Sequence, residues 1–426
     1  MNLHEFFTNE VKYALGCTEP VSVAFCAAVA ASHLQGEMEH MHLAMSMNIY
    51  KNGSQVGIPG TGGRRGNELA AVLGALAGNA DKELLVLAEV TNSDVDQALA
   101  FLSKGKHDVE ILKSVPGVYN EITLKGDNEV KVVVKGRHDQ VWSVVVDGEE
   151  IVAPPKEEGG AAPEPDYIEE LRAMSIEDMW DAASSIDDDL EAFMLKGSAA
   201  NMGVAVVGLR ESVGMGVGRT TLEAACGEDL VCRVRGTAAA AADVRMSGFE
   251  MPVMSSAGSG NHGLTAILPI AVVANAEGKS DREQAEALAL SHLVTGYIKA
   301  YTGRLTPICG CSVAAGAGAA AGLVRLQGGT PDQAERAAST LIASLMGQIC
   351  DGAKASCGLK VATAAAEAWR AARLVLDGSG ITDPQGVVDT DLHTTVSALA
   401  EISARAMANV DSVIVDLMLS RHKDVV

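Results

Sequence analysis

The sequence is short of basic residues. Its 426 residues include 33 Lys and Arg but 55 Asp and Glu, which gives a formal net charge of -22 at pH 7. A protein with this charge repels nucleic acid and anionic membranes, so binding along the phosphate backbone of a nucleic acid is disfavoured. We therefore expect a small-molecule ligand, no nucleic-acid partner and no membrane partner.

The sequence also lacks a recognisable targeting signal or membrane span. Its first residues, MNLHEFF, do not show the basic and then apolar pattern of a signal peptide. The apolar stretch after Gly263 is interrupted by Pro269, well short of the length that crosses a bilayer. We expect a cytoplasmic protein. Because that compartment keeps thiols reduced, we also expect its eight cysteines not to form disulfides.

Paired C-x-x-C hooks, which mark tetrahedral zinc sites, are missing as well. Four cysteines nevertheless fall close together, at Cys309, Cys311, Cys350 and Cys357. Grouped thiols without zinc spacing favour an iron-sulfur cluster, which requires soft sulfur ligands but tolerates many spacings. The alternative is that all four are buried structural thiols, and it is weaker for a group than for one cysteine.

The segment between Cys350 and Cys357 bears on this interpretation. An unbroken helix would hold the two residues about 10.5 Å apart along its axis, too far for one compact cluster to bind both easily. Gly352 lies between them and is a typical helix interrupter, so we expect a loop here. Cys226 and Cys232 lie in a charged stretch without other thiols, and we interpret them as structural.

The first third of the chain shows the pattern of a small α+β unit. A helix is predicted from Ser93 to Phe101. Asp147 and Gly148 predict a tight hairpin, and alternation over 43–49 predicts an early strand that joins the same sheet. The other predicted strands are 84–88, 109–112, 122–124, 130–134, 141–146 and 151–152.

The rest of the chain has mainly helical patterns. Strand signals become rare after residue 166, and helical spacing continues over 332–344 and 392–418. Two Gly/Ala-rich stretches, 237–242 and 314–322, would let helices approach closely. We therefore predict an α+β fold: a small sheet domain at 1–153, a proline-rich linker at 154–166 and a mainly helical domain at 167–426 that carries the cluster site.

A glycine-rich segment at 57–68 leads directly into an apolar helical pattern. Free N–H groups at a helix N-terminus, together with Arg64 and Arg65, favour a substrate carboxylate or phosphate. The spacing matches neither the Walker A pattern nor the dinucleotide-binding pattern. A glycine turn of purely structural use is the alternative. The candidate substrate-binding residues of this segment are Gly60, Thr61, Gly62 and Gly63.

Cys17 stands just before an apolar helical pattern at 21–31, with Thr18 as the expected N-cap. A thiol beside a helix N-terminus tends to have a lowered pKa. Cys17 is therefore a candidate base, nucleophile or cluster ligand. A partly buried structural cysteine is the alternative.

A polar, glycine-punctuated loop at 255–263 contains Asn261 and His262, which are suited to orient a substrate or relay a proton. Lys299 and Arg304 stand shortly before the first clustered cysteine, where they could neutralise a cluster or a carboxylate. An ordinary loop histidine and a solvated lysine are the alternatives.

Together, five segments of the sequence resemble the L-cysteine desulfidase family, single-chain relatives of the iron-sulfur L-serine dehydratase alpha chain. The resemblance spans nearly the whole chain, and the combination of segments is specific although no single one is. The segments are GCTEP at 16–20, GIPGTGG at 57–63, GNHG at 260–263, CGCSVAAG at 309–316 and ICDGAKASC at 349–357.

The resemblance implies a 4Fe-4S cluster held by three thiolates with one iron open to substrate. The ligands it implies are Cys311, Cys350 and Cys357, with Cys309 as an alternative to the first and Cys17 as an alternative to the third. Otherwise Cys17 is the implied acid or base. The remaining candidates for catalysis and substrate binding are His262, Lys299 and Asn261, with the residues at 60–63.

The implied reaction is a β-elimination that releases pyruvate, ammonia and hydrogen sulfide from L-cysteine. L-Serine dehydration is the alternative within the same chemistry, and a non-catalytic iron-sulfur sensor is the alternative from another class. Lys354 or Lys360 could be mistaken for a pyridoxal phosphate lysine, but the surrounding cysteines fit a cluster better. The oligomeric state stays open, with a homodimer as one option.

Overall fold

The computed structural model describes residues 1–154, 164–224, 227 and 229–423. It has the predicted α+β architecture, with a mixed sheet near the N-terminus followed by a helical region. The predicted linker at 154–166 falls largely on residues 155–163, outside the described part, and Cys226 also lies outside it. The division into two domains with this linker stays a prediction.

The N-terminal part alternates helices with short strands. A 3₁₀ helix at Ala80–Leu85 joins two of its α-helices. The elements in chain order are α1 (Leu3–Glu10), β1 (Tyr13–Leu15), α2 (Thr18–His33), β2 (His40–Ser46), α3 (Met47–Gly53), α4 (Asn67–Ala77), α5 (Asn92–Ser103), β3 (His107–Leu112), β4 (Tyr119–Lys125), β5 (Glu129–Lys135), β6 (Val141–Val146) and β7 (Glu149–Val152).

The larger sheet has the strand order β3-β2-β4-β5-β6-β7, in which β2 and β3 are parallel and the other neighbours antiparallel. Ile122, Leu124, Val130 and Val132 are fully buried because alternate side chains point to the same face. Helix α2 packs on β4 and β5, and α4 packs on α2. The meander and the Asp147 hairpin are as predicted.

The described residues of the C-terminal part form helices and one short strand, which pairs with β1. A single π turn at Ile402–Ala406 follows one of the helices. The elements are α6 (Asp166–Arg172), α7 (Ile176–Ser184), α8 (Asp188–Arg210), α9 (Val217–Glu223), α10 (Leu230–Met246), β8 (Pro252–Met254), α11 (Gly260–Glu277), α12 (Asp281–Thr302), α13 (Ala314–Leu326), α14 (Pro331–Leu345), α15 (Cys357–Leu376), α16 (Leu392–Glu401) and α17 (Val410–Lys423).

Small residues allow the central helices to pack closely, as the Gly/Ala-rich stretches predicted. Residues 238–242 of α10 and 314–322 of α13 are buried. Helix α10 packs against α8 and α15, and α13 packs against α12 and α14. Helix α8 is long and apolar enough to cross a membrane by length and composition, but it packs against α10, α11 and α12.

The structure has two hydrophobic cores, and the first and last helices each pack into the core of the opposite part of the chain. Phe6 and Phe7 of α1 are fully buried in the core formed by the helical region. Val415 and Met418 of α17 are buried in the core formed by the sheet and its helices. Each core therefore includes residues from the opposite end of the sequence.

Several local predictions are wrong. The apolar run at 84–88 is the end of the 3₁₀ helix and a turn, not a strand. The strand expected over 43–49 ends at Ser46, whose hydroxyl accepts from Ile49 N–H and so caps α3. Cys17, not Thr18, is the N-cap of α2. The helical spacing at 392–418 is divided between α16, the π turn and α17.

Candidate active site

A buried cavity lies where the helical region meets α2 and α3. The N-terminal part contributes Cys17, Glu19, Lys51, Asn52 and His138 to its lining. The helical part contributes Arg245, Asn261, His262, Lys299, Arg304, Lys360 and the four clustered cysteines. The cavity thus brings together most of the residues that the sequence marked as candidates, from five separate segments.

Two backbone connections bring the cysteine-bearing loops side by side. Ile308 and Ile349 form an antiparallel bridge. Beside it, Cys309 N–H donates to Gln348 O at 2.8 Å, and Cys350 N–H donates to Pro307 O at 2.7 Å. Cys309 and Cys350 are therefore fixed close to one another although about forty positions separate them in sequence.

The segment from Cys350 to Cys357 is a loop, as its glycine predicted. Gly352 has a φ of 96°, and a Cβ there would lie 2.2 Å from Lys51 O, so only glycine allows this close approach to α3. Cys357 is the first residue of α15, and its thiol donates to Gly352 O at 3.6 Å. The loop therefore places the Cys357 thiol in the same cavity as Cys350.

The four thiols influence one another. A hydrogen bond from Cys311 lowers the pKa of Cys309, and the same hydrogen bond raises the pKa of Cys311. Burial raises the pKa of Cys350, and burial raises that of Cys357 to about 11, with the charge of Cys309 adding to both shifts. Ionisation of one of these thiols therefore disfavours ionisation of its neighbours.

The thiols do not converge on a single point. Among the residues that the structure describes, no group of three or more His, Cys, Asp or Glu side chains could hold a metal ion. Cys17, Cys26 and the four clustered residues are free cysteines. Cys232 is disulfide-bonded, so the expectation that no cysteine forms a disulfide is wrong for this residue.

The cavity is rich in cations although the protein is acidic. Lys51, Lys299, Arg304 and Lys360 all line it. Burial lowers the pKa of Lys299 to about 8, although the nearby Cys350 and Cys311 oppose this effect. Lys360 Nζ donates to Ile349 O at 2.6 Å, and Arg304 is paired with Glu10 at 2.6 Å. Cations beside thiols favour their anionic form, which is the form that binds metals.

Cys17 is buried and donates its thiol proton to Glu19 Oε2 at 2.8 Å. Burial, reinforced by the negative charge of Glu19, raises the pKa of Cys17 well above its ordinary value. The expectation of a lowered pKa is therefore wrong, because the adjacent carboxylate and desolvation outweigh the helix N-terminus. Asn52 Nδ2 donates to Glu19 Oε1 at 2.9 Å, and His138 lies 3.9 Å from the same oxygen.

His262 lies on the first turn of α11 with its ring against the cysteine loop. Its Nδ1 lies 3.2 Å from Ser256 O, and because a carbonyl only accepts, this nitrogen carries the proton. A Cβ on Gly310 would lie 2.4 Å from His262 Nε2, so the unprotonated nitrogen packs directly on the backbone between Cys309 and Cys311. Burial lowers the pKa of His262 well below its ordinary value, which keeps the ring neutral.

A known protein family matches most of the chain. The serine dehydratase alpha chain family matches residues 81–416, more than three quarters of the chain. The chain belongs to this family. Membership of the serine dehydratase alpha chain family points to a lyase of the serine dehydratase type.

Full-length relatives exist in several bacteria. A UPF0597 protein of Nitratidesulfovibrio vulgaris strain DP4 is 54% identical over 438 residues, covering 98% of this chain and 99% of the relative. UPF0597 proteins of Clostridium tetani and Kosmotoga olearia are each 37% identical, covering 98% and 99% of this chain and 98% and 100% of the relatives. The resemblance therefore extends beyond the part that the serine dehydratase alpha chain family matches.

The predicted substrate-binding segment at 60–63 lies outside the cavity. Gly60, Thr61, Gly62 and Gly63 do not line the cavity. Thr61 is buried and donates its hydroxyl to Ile58 O and Arg64 O, which closes a turn. The residues just before this turn make the close contacts, since a Cβ on Gly57 would meet Ser247 at 2.4 Å and one on Gly16 would meet Pro59 at 2.4 Å. They support the chain next to Cys17 from outside the cavity.

Arg245 and Glu19 are cavity residues that the sequence analysis missed. Glu19 lies within the segment quoted for the family resemblance, but its role became visible only through its contact with Cys17. Arg245 is the basic residue at the end of an otherwise alanine-rich buried run in α10. A charged side chain that interrupts a fully buried stretch was the signal that could have identified it.

Proposed function

We propose that this protein is an iron-sulfur-dependent β-eliminating lyase, an L-cysteine desulfidase that converts L-cysteine and water to pyruvate, ammonia and hydrogen sulfide. The observation that carries the proposal is that four thiols share one buried cavity with lysines and a neutral histidine. A structural role for the thiols would not require cations or polar groups around them. The proposed enzyme acts in the cytoplasm on a free amino acid.

The donor set fits a polynuclear cluster. Each cysteine ligand of a 4Fe-4S cluster binds a different iron, so the three proposed thiols need not meet at one point, in contrast to a single-ion site. Cys311, Cys350 and Cys357 are the proposed ligands. Cys309 remains the alternative first ligand because its thiol also lines the cavity and its pKa is lowered. When bound, such a cluster supplies a Lewis-acidic iron that polarises the bond between Cβ and the leaving group.

The residues of the chain would perform the proton transfers. Cys17 is the proposed acid or base, and Glu19 can accept its proton along the 2.8 Å hydrogen bond. His262 is the other candidate base because its Nε2 is unprotonated and faces the cysteine loop. The α-proton leaves to one of these two groups as the leaving group departs, and the resulting aminoacrylate tautomerises and is hydrolysed to pyruvate and ammonia.

Lys299 would stabilise negative charge beside the thiols. It is 5% exposed and lines the cavity together with Cys309, Cys311 and Cys350. A buried cation here favours binding of thiolate ligands and of a substrate that brings a further anionic group. Asn261 extends from the same first turn of α11 as His262 and is proposed to orient the substrate.

L-Serine dehydration is the second candidate, and the family description favours it. A thiolate is a softer ligand for iron than a hydroxyl and a better leaving group, which favours cysteine. Protein reconstituted anaerobically with iron and sulfide should be offered L-cysteine and L-serine in parallel while pyruvate and sulfide are measured. We expect a higher kcat/KM for cysteine, with equal amounts of the two products. Equal or better turnover of serine would assign the dehydratase reaction.

A further inference from the structure

Arg245 carries two buried donor nitrogens that no group of the described residues satisfies. The residue lies at the end of α10 and is 2% exposed. Its Nη1 donates to Asn261 Oδ1 at 3.0 Å, whereas Nε and Nη2 have no hydrogen-bond partner. Buried arginines are normally paired on all their nitrogens, so this open edge indicates a missing anionic partner.

The open edge has the geometry that recognises a carboxylate. Nε and Nη2 are the two guanidinium nitrogens whose N–H bonds point side by side, and this pair matches the two oxygens of a carboxylate. Neither Nε nor Nη2 of Arg245 has a hydrogen-bond partner among the described residues, although Glu19 lines the same cavity. The described part of the chain does not supply the partner, which leaves the position for a ligand.

The same edge lies over the N-terminus of α11. A Cβ on Gly260, the first residue of this helix, would be 2.2 Å from Arg245 Nε, so the guanidinium packs directly on the first turn. The N-cap Ser259 makes no side-chain hydrogen bond to the helix, which leaves the first N–H groups without a side-chain cap. A helix of this length favours an anion at its N-terminus.

We propose that Arg245, together with the first turn of α11, binds the carboxylate of the substrate. Asn261 holds the guanidinium in place through Nη1. The assignment of that substrate as an amino acid rests on the proposed function, whereas the carboxylate itself is inferred from the open guanidinium edge. This position takes over the role that the glycine-rich segment at 60–63 was expected to have.

The test uses two unreactive ligands that differ only in the carboxylate, L-alanine and ethylamine. Their affinities for the anaerobically prepared protein are measured by titration calorimetry. Wild type should bind L-alanine at least tenfold more tightly than ethylamine, and Arg245→Gln should remove this difference by weakening L-alanine alone about 10- to 100-fold. Arg245→Lys should retain part of the preference because it keeps the charge but loses the paired geometry.

Two further variants separate binding from folding. Gly260→Ala keeps every charge but displaces the guanidinium, so it should weaken L-alanine like Arg245→Gln. Arg325→Gln is the control, because the Arg325 side chain is only 9% exposed but pairs with Glu286 and donates to Trp180 O away from the cavity. It should leave the preference intact. If Arg245→Gln does not fold, Gly260→Ala and Arg245→Lys decide the question.

The inference and the proposed function fail in different ways. Unchanged L-alanine affinity in folded Arg245→Gln or Gly260→Ala would overturn the carboxylate site even if the wild type releases pyruvate. Loss of the L-alanine preference in these variants would support the site even if neither cysteine nor serine is turned over. A wild type that does not prefer L-alanine to ethylamine would overturn the inference directly.

Discussion

Lys51 and Asp411, 360 positions apart in the sequence, form an ion pair with 2.5 Å between Nζ and Oδ1, in which Lys51 is buried and Asp411 is 14% exposed. Lys51 also donates to Cys350 O at 2.9 Å, and Asn48 Nδ2 donates to the other oxygen of Asp411 at 2.5 Å. The start of α17 is thus linked through one lysine to the loop that carries two of the clustered cysteines.

We expect Asp411→Asn to destabilise the protein by about 3 kcal/mol, because it leaves the Lys51 ammonium buried without its counter-charge. Urea unfolding monitored by circular dichroism measures this effect. The control is Asp416→Asn, which lies on α17 like Asp411. It breaks the exposed ion pair with Lys113 and should lower the free energy of unfolding by less than about 1 kcal/mol. Equal costs for the two variants would show that the buried pair contributes no more than a surface pair.

We expect Cys350→Ser to abolish iron binding after anaerobic reconstitution, because the segment that contains it supplies two of the proposed ligands. The wild type should bind about four irons per chain. Cys26→Ser is the control, since Cys26 is a free thiol too but is fully buried and donates to Val132 O inside the sheet core. Iron and sulfide analysis checks the outcome. A wild type that takes up only zinc, or a Cys350→Ser protein that keeps its iron, would contradict the cluster proposal.

We expect Cys17→Ser to retain its iron but to lower kcat by about 100-fold or more, the range for removal of an acid-base group. Serine preserves a hydrogen-bond donor to Glu19, so the local structure should persist. Iron content and pyruvate release are measured on the same sample. Loss of iron would make Cys17 a ligand instead and would place Cys357 in question.

We expect Glu335 to make the stability of the protein depend on pH. Burial, with repulsion from Asp391, raises its pKa from the ordinary 4.5 to about 7. Between these pH values the unfolded chain ionises Glu335 while the folded protein keeps it protonated, so the free energy of unfolding falls as the pH rises. Glu335→Gln removes this loss, and its Tm relative to wild type should increase from pH 5 to pH 8.

Thermal melts at several pH values test the Glu335 prediction. In the native protein Leu392 N–H donates a hydrogen bond of 2.8 Å to Glu335 Oε1, and the amide oxygen introduced by Glu335→Gln can still accept it. The control is Glu150→Gln on the exposed strand β7, whose Tm should follow that of wild type at every pH. A Tm difference between Glu335→Gln and wild type that does not change with pH would contradict the prediction.

The sequence predicted the sheet meander well because alternation and turn residues act locally. The strand predicted at 84–88 was wrong, because a short apolar run shows no periodicity that distinguishes a strand from a buried helical turn. The four cysteines could be found from residue type and spacing alone. Arg245 could not, because its significance lies in two unsatisfied nitrogens that only the folded structure reveals. The segment at 60–63 does not line the cavity. Gly60, Gly62 and Gly63 have positive φ in a turn, and in a sequence such turn glycines cannot be told from glycines that bind anions.

The exchange of terminal helices between the two cores also has a consequence for dissection of the protein. Asp411, Val415 and Met418 of α17 complete the sheet core and the contact that holds Lys51 against the Cys350 loop. The helical region likewise needs Phe6 and Phe7 of α1. A cut between the sheet region and the helical region would therefore leave each fragment with a gap in its core, and neither fragment would form the thiol-lined cavity alone.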